Sequence, residues 1–231
     1  MRCLRAFAAA SLLAVSATAF AAADAEFAIR WDPAEGGPRS ANGVLAALSL
    51  KRGKETDFVV QYFTVNQPRN AAGDFKAIAR ERTTRARADA TYKVRGPSPF
   101  PEADPIHKWS CPLSVPALSK DEVDISWTGE QEPKRVFSRS CTAGVDIAHA
   151  MPKELGAKPL GCISKMHRIE INGIKLEEWE LPSGKRLFEV STNGQDSASD
   201  LEKFRSRIVK PLLSHKVRPL KDSKTELGSS C

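Results

Sequence analysis

The stretch FVVQYFTV at residues 58–65 decides the fold of this chain, because it is the clearest strand in the sequence. Its β-branched and aromatic side chains suit a pleated, half-buried surface. Further strand-like segments lie on both sides of it, at residues 26–31, 75–84, 90–95, 109–113, 122–127, 136–141, 163–171, 174–180 and 187–192. Asn172-Gly173 between two of them is a hairpin turn signal. The pattern predicts an α+β chain with roughly eight to ten strands in a mainly antiparallel sheet.

Two main helices are expected beside the strands. Ser40 is suited to cap a short helix that continues to Leu50. Ser199 or Asp200 is suited to cap a second helix, whose apolar side chains recur at helical spacing over residues 201–213. Internal repeats and low-complexity tracts are absent from the sequence. We therefore predict a single domain.

The first residues have the pattern of a secretory signal peptide. Arg2 and Arg5 form a positive segment, and the uncharged apolar run at residues 6–20 follows. Small residues then form two sequences that a signal peptidase accepts, AFA at residues 19–21 and ADA at residues 23–25. The apolar run is shorter than the ~20 residues that a membrane-spanning helix needs. We predict an exported chain, periplasmic or secreted after cleavage, with no membrane span.

Cleavage at the second site removes residues 1–25 and leaves the single domain at residues 26–231. It also lowers the formal charge from +7 to +6, because two arginines and one aspartate are lost. A positive surface can serve nucleic acid, an anionic membrane or small anions. The chain shows no recognition-helix pattern, and nucleic acid is rarely the target of an exported protein, so we expect no nucleic-acid partner. A small anionic ligand and plain solubility charge stay open as explanations.

Several catalytic classes lack their signatures here. The four histidines are scattered without the ligand spacing of a zinc protease, and the Gly-x-Ser-x-Gly motif and glycine-rich phosphate loops are absent. Glu177 and Glu178 beside Trp179 are a candidate acid/base pair, because burial against an indole raises the pKa of a carboxyl. Adjacent residues on a strand point to opposite faces, however, and one such carboxylate is then simply solvated. We assign no catalytic residue and expect the four tryptophans in the core.

Four cysteines follow the leader, and an even count in an oxidising compartment predicts two disulfides. Four cysteines allow three connectivities. Cys111 and Cys141 lie in neighbouring strand-like segments, so we favour that pair. Cys162 then pairs with Cys231 near the C-terminus. The absence of CxxC spacing argues against a zinc site and against a thiol oxidoreductase.

A series of short motifs carries a family resemblance. In chain order they are Tyr62-Phe63-Thr64, Arg80-Glu81-Arg82, Thr91-Tyr92-Lys93 and Glu189-Val190-Ser191, with Ser223-Lys224 near the end. Their order resembles the CYTH or triphosphate tunnel metalloenzyme family across nearly all of the mature chain. The resemblance implies an antiparallel sheet closed into a tunnel or half-barrel. It also implies inward carboxylates that hold a divalent metal, and inward lysines and arginines that hold a triphosphate-type substrate.

The resemblance also implies which residues form the site. The anion would be held by Arg30, Arg80, Arg82, Lys93 and Arg168, with Arg95, Arg139 and Arg186 as further candidates for a positive lining. Glu26 and Glu189 would hold the metal, Mg²⁺ or Mn²⁺, and Glu122 and Asp124 would add ligands if their strand faces inward.

The chain departs from the family in its carboxylates. Ala28 stands at the middle position of the family's opening Glu-x-Glu-x-Lys, and Ser191 replaces the second glutamate of the late Glu-x-Glu. The arginines survive better, and guanidinium groups match phosphate oxygens bidentately. We therefore expect an exported protein that binds a phosphate-bearing ligand, such as polyphosphate or a nucleotide, without efficient catalysis. A divalent-metal-dependent triphosphatase and a non-enzymatic envelope interaction protein are the alternatives.

Overall fold

The computed structural model describes residues 23–67, 75–99 and 110–229. Within these ranges nine strands form a closed barrel in the order β1-β5-β6-β4-β3-β2-β7-β8-β9. Only β1 and β5 run parallel among the described strands. The predicted α+β tunnel is therefore confirmed. The strands are β1 (Asp24–Trp31), β2 (Lys54–Thr64), β3 (Lys76–Thr83), β4 (Ala88–Gly96), β5 (Leu118–Trp127), β6 (Lys134–Ala143), β7 (Lys158–Ile171), β8 (Ile174–Glu180) and β9 (Arg186–Gln195).

Short helices pack around the barrel. They are α1 (Ala41–Ala47), α2 (Ile147–Ala150), α3 (Ala198–Phe204), α4 (Lys210–Ser214) and α5 (Lys224–Gly228), with a 3-10 turn at Lys153–Leu155 and a π-helical turn at Arg205–Val209. None of the helices in the described ranges has the length and apolar character needed to cross a membrane.

Serine side chains cap the N-termini of α1 and α3. Ser40 accepts a hydrogen bond from the Gly43 amide and caps α1, as predicted. The cap of α3 is Ser197, whose hydroxyl accepts from the Asp200 amide, so the prediction of Ser199 or Asp200 was wrong. Asp200 instead lies in the first turn of α3, where its negative charge interacts favourably with the unpaired backbone amides of the helix N-terminus.

The outer face of the barrel carries two of the three hydrophobic clusters. Trp31 of β1 stacks on Phe188 of β9 with ring centroids 5.4 Å apart, under α1 and α4. The second cluster covers the outer face of β3, β4 and β6 and includes Cys141. The predicted disulfide Cys111–Cys141 is confirmed, with the Cα atoms 5.8 Å apart. The pair Cys162–Cys231 includes a residue outside the described part of the chain and stays a prediction.

One predicted strand is wrong. Residues 110–113, which belong to the segment 109–113, do not form a strand. The disulfide ties Cys111 to the outer face of β6, where it packs against the second cluster instead of entering the barrel. Trp31, Trp127 and Trp179 are buried as expected. The fourth tryptophan, Trp109, lies outside the described residues.

The third cluster fills part of the barrel interior. Its buried members are Phe58, Val60, Tyr62, Met166, Trp179, Leu181 and Leu187. Helix α5 packs on this cluster through Leu227. Gly228 permits the close approach, because a Cβ there would lie 2.8 Å from Cε2 of Tyr62. The apolar cluster and α5 together close off part of the tunnel and leave a polar cavity beside them.

The first strand of the barrel overlaps the predicted signal peptide. Residues 1–22 lie outside the described part of the chain, so the signal peptide stays a prediction. Strand β1 begins at Asp24, and buried Ala25 pairs with Val123 of β5 and with Gly194 of β9. The barrel thus uses two residues that cleavage after Ala25 would remove.

Candidate functional site

The strand register decides which charged side chains face the tunnel. Successive residues of a strand point to opposite faces. In β1, Glu26, Ala28 and Arg30 face inward, and Arg30 lies opposite Glu189 of β9. The same alternation turns further predicted site residues inward, namely Arg80 and Arg82 of β3, Lys93 of β4 and Arg168 of β7.

A cavity of about 360 Å³ lies inside the barrel. Among the described residues its lining includes eight lysines and arginines, namely Arg80, Arg82, Lys93, Arg95, Lys120, Arg168, Lys175 and Lys224. The lining carboxylates in the same ranges are Glu26, Glu122 and Glu177. Four of the five predicted anion-binding residues therefore line one cavity. The fifth, Arg30, lines a neighbouring cavity of about 290 Å³, which shares Arg95 and Ile78 with the first.

Arg80 and Arg82 form the least compensated part of the wall. Arg80 makes no ion pair with any described residue, and its Nε is buried without a hydrogen-bond partner. Arg82 donates from Nε to Oδ1 of Asp89 at 3.1 Å. The positive charge of Arg80, together with burial, lowers the pKa of Arg82 to about 10 despite that carboxylate. An anion placed here would relieve the repulsion between the two guanidinium groups.

Phe58 holds two of the guanidinium groups in place. The guanidinium carbons of Arg82 and Arg168 lie 5.7 Å and 5.1 Å from the centre of its ring. Such cation–π contacts favour a cation over the ring face. Arg168 also donates to Oε1 of Glu177, from Nε at 3.0 Å and from Nη2 at 2.6 Å. The two arginines on either side of β2 are thereby oriented before any ligand arrives.

Lys93 belongs to a second charged group, with Glu122 and Asp124 of β5. Its Nζ donates to Oε1 of Glu122 and to Oδ2 of Asp124, each at 3.1 Å, and Arg95 contacts the same aspartate oxygen at 3.1 Å. Burial raises the pKa of Asp124, but Lys93 and Arg95 outweigh this effect and lower it. The two carboxylates face inward, and both are already paired with protein cations.

Glu177 takes part in a third charged group and is ionised. Burial raises the pKa of its carboxyl, but Lys224 and Arg168 outweigh it and lower the pKa to about 2. The indole of Trp179 donates to its Oε2 at 3.0 Å and so also favours the charged form. The acid/base pair considered for Glu177 and Glu178 is therefore not formed. Glu178 faces outward and pairs with Arg186.

Glu26 and Glu189 do not fit a divalent cation. Glu26 accepts from Lys175 at 3.2 Å and from Ser191 at 3.3 Å, and Glu189 pairs with Arg30 and Lys224. The two glutamates lie at different levels, four residues or about 13 Å apart along the strands. The pair between them, Ala28 and Ser191, carries no carboxylate. No group of three or more metal-ligating side chains occurs within residues 23–67, 75–99 and 110–229.

Some predictions for the lining were wrong, and some lining residues were missed. Arg139 lies on the outer face of β6 and pairs with Asp121, and Arg186 is exposed. Lys175 and Lys224 line the cavity but were not assigned to the site. The alternation of Lys175 and Glu177 in β8 was the signal available for the first. For Lys224 the available signal was the motif Ser223-Lys224 near the chain end, which belongs to the family resemblance but was not assigned a role in the site.

No protein-family model matches the chain, and no curated protein matches it. Two solved structures resemble it in fold. The PH1819 protein from Pyrococcus horikoshii has a TM-score of 0.53 at 10% identity, over 87% of this chain and 97% of that one. A candidate adenylate cyclase from Vibrio parahaemolyticus has a TM-score of 0.51 at 12% identity, over 91% of this chain and 100% of that one. The chain has a CYTH-type tunnel fold, which confirms the fold that the resemblance implied.

Proposed function

We propose that this chain is an exported protein that binds a phosphate-bearing anion in its basic tunnel, without efficient catalysis. The observation that carries the proposal is the charge of the cavity wall. The described lining residues include eight cations and three carboxylates. Asp89, Asp124 and Glu189 pair with lining cations from beside the cavity, whereas Arg80 has no counter-charge of its own in the described ranges. Buried charges are normally paired, because an unpaired buried charge is costly. A bound anion would supply the missing counter-charge.

Phosphate suits this wall better than a single carboxylate does. Arg80, Arg82 and Arg168 come from strands on either side of β2 and line the same cavity. Each guanidinium group can donate two parallel hydrogen bonds to phosphate oxygens. A chain of phosphates, as in tripolyphosphate or a nucleotide, offers several charges to several arginines at once. We therefore expect affinity to rise with the number of phosphates in the ligand.

The proposal of weak catalysis is supported by the carboxylates. Hydrolysis of a phosphoanhydride is commonly assisted by a metal that polarises the phosphoryl group. The carboxylates in the described tunnel are paired with lysines and arginines, and the two predicted metal ligands lie at different levels. The residues present thus favour binding over hydrolysis. The triphosphatase alternative requires a divalent cation to displace these pairs.

Export is supported by the leader pattern and by the disulfide Cys111–Cys141, since disulfides persist in oxidising compartments. The structure of β1 favours one of the two cleavage sites. Cleavage after Ala21 leaves the whole strand intact, whereas cleavage after Ala25 removes a buried residue that pairs with two neighbouring strands. We therefore propose that the mature chain begins at Ala22.

Calorimetric titration of the mature chain with tripolyphosphate tests the proposal. Replacing Arg80 and Arg82 together by glutamine should weaken binding by at least about tenfold, because hydrogen bonds to charged groups contribute about 1.5–3 kcal/mol. The matched control replaces Arg85 and Arg87, which have the same spacing but are exposed at the turn after β3. The control should retain the affinity of the unmodified chain. Equal affinity in both double variants, or no binding of tripolyphosphate by the unmodified chain, would refute the proposal.

A further inference from the structure

Lys224 reaches into the tunnel from a helix that does not belong to the barrel sheet. It is the first residue of α5, which packs against β2 and β7 and is not a strand of the barrel. Its Nζ donates to Oε1 of Glu189 at 2.6 Å and to Oε2 of Glu177 at 3.0 Å. The side chain of Lys224 is 13% exposed, and those of the two glutamates are 0–1% exposed. One ammonium group thus bridges two buried carboxylates from neighbouring strands.

Every oxygen of these two carboxylates has a donor. On Glu189, Oε1 accepts from Lys224 and Oε2 accepts from Arg30. On Glu177, Oε1 accepts from Arg168, and Oε2 accepts from Lys224 and from the indole of Trp179. The carboxylates therefore leave no free oxygen for a metal. A divalent cation could bind both glutamates at the oxygens that face each other only by displacing Lys224, and the other two oxygens are held by Arg30 and Arg168.

The negative charges of Glu177 and Glu189 are also neutralised without a metal. Three cations and two carboxylates leave a net charge of +1 in a buried place. Adding a divalent cation would raise the charge to +3, which is unfavourable among side chains that are at most 14% exposed. Burial lowers the pKa of Lys224, but Glu177 and Glu189 outweigh it and raise the pKa above its ordinary value. Lys224 is thus a permanent cation between the two glutamates.

Helix α5 is anchored so that this lysine stays in place. Ser223 and Glu226 form a capping box, in which each side chain accepts from the other residue's amide. Arg95 donates from Nη1 to the hydroxyl of Thr225 at 3.2 Å. The position of Lys224 is therefore determined by the fold of the chain and does not depend on a bound ligand.

We propose that Lys224 occupies the place of a divalent cation, so that the tunnel binds its phosphate ligand without metal. The claim that Glu177 and Glu189 bind no metal can be tested without a phosphate ligand. Its consequence for phosphate rests on the proposed function.

The first test measures Mn²⁺ binding to the ligand-free chain, by calorimetry and by the electron paramagnetic resonance signal of free Mn²⁺. The unmodified chain and Lys224→Arg should bind no Mn²⁺ in the tunnel. Lys224→Met removes the charge at similar volume and should gain one Mn²⁺ equivalent, which is lost again when Glu177→Gln is added. Mn²⁺ binding by the unmodified chain that Glu177→Gln abolishes would overturn the proposal. Failure of folded Lys224→Met to gain Mn²⁺ would also overturn it.

A second measurement keeps the proposal testable if Lys224→Met does not fold. Tripolyphosphate affinity of the unmodified chain is compared in EDTA and in excess Mg²⁺ at equal ionic strength. Affinity in EDTA equal to or higher than in Mg²⁺ supports the inference. Affinity that requires Mg²⁺ overturns the inference while leaving phosphate binding intact. Absence of binding in both conditions refutes the proposed function, and the Mn²⁺ measurement on the unmodified chain then decides the inference alone.

Discussion

Arg80 and Arg82 stand two residues apart on β3, so both guanidinium groups point into the tunnel, and the charge of Arg80 contributes most to lowering the pKa of Arg82 to about 10. Only Arg82 of the two has a carboxylate partner among the described residues. Repulsion of this kind stores free energy that an anion can release on binding.

Replacing Arg80 by glutamine should change stability and affinity in opposite directions. The variant loses the repulsion with Arg82 and should gain up to about 1 kcal/mol of unfolding free energy, as substitutions at strained binding sites often do. The same change should weaken tripolyphosphate binding. Urea unfolding and calorimetric titration measure the two effects. The exposed Arg85→Gln should change neither, and a folded Arg80→Gln that is both less stable and equally strong in binding would contradict the account.

Glu177→Gln should alter how stability depends on pH. The folded pKa of Glu177 is about 2, below its ordinary value of 4.5. A lowered pKa contributes stability that is present above about pH 4.5 and is lost as the pH falls toward 2. The variant should be destabilised by about 3 kcal/mol near neutral pH, because a buried pair loses one partner.

Urea unfolding from about pH 7 to about pH 3 measures this effect. The difference in stability between Glu177→Gln and the unmodified chain should shrink as the pH falls. Glu180→Gln is the control, because Glu180 lies on the same strand but is exposed and pairs with Lys165 at the surface. A difference that stays constant over the pH range would show that the charge of Glu177 is not responsible.

Removing the disulfide Cys111–Cys141 should destabilise the domain. The two cysteines are 30 residues apart, and closing a loop of that length in the unfolded chain contributes about 3–4 kcal/mol. Denaturant unfolding of Cys111→Ser/Cys141→Ser measures the loss. Tryptic mapping under non-reducing conditions should recover the Cys111–Cys141 crosslink and a second one between Cys162 and Cys231. Unfolding at the same urea concentration with and without the Cys111–Cys141 bond would contradict this prediction.

Secretion of the full-length chain should yield a mature protein that begins at Ala22. Strand β1 pairs through Ala25 with β5 and β9, so cleavage after Ala21 preserves both pairings. Intact-mass measurement and N-terminal sequencing of the exported protein decide between the sites. A mature chain that begins at Glu26 would contradict this prediction, because the barrel would then form without the strand pairings of Asp24 and Ala25.

The strand alternation predicted much of the tunnel, but it does not reveal which of two faces points inward. Arg80 and Arg82 were predicted to face inward because the family motif indicated which side of the strand lines the tunnel. The observed β2–β3 register places both side chains on that side. Arg139 had no such motif, and the β5–β6 register turns it outward toward Asp121. The role of Lys224 depends on contacts with Glu189 and Glu177, which are 35 and 47 positions away in the sequence. These contacts form because α5, near the C-terminal end, packs against the barrel. Local patterns carry no information about such contacts.

Thermal unfolding of the mature, oxidised chain with tripolyphosphate in EDTA is the most direct test of the central claim. A ligand present at about 100 times its dissociation constant stabilises the folded state by about 2.7 kcal/mol, which shifts the midpoint by several degrees. The account predicts this upward shift in EDTA, at fixed ionic strength, and its loss when both Arg80 and Arg82 are replaced by glutamine. No shift in EDTA, or an equal shift in the Arg80→Gln/Arg82→Gln variant, would contradict the account.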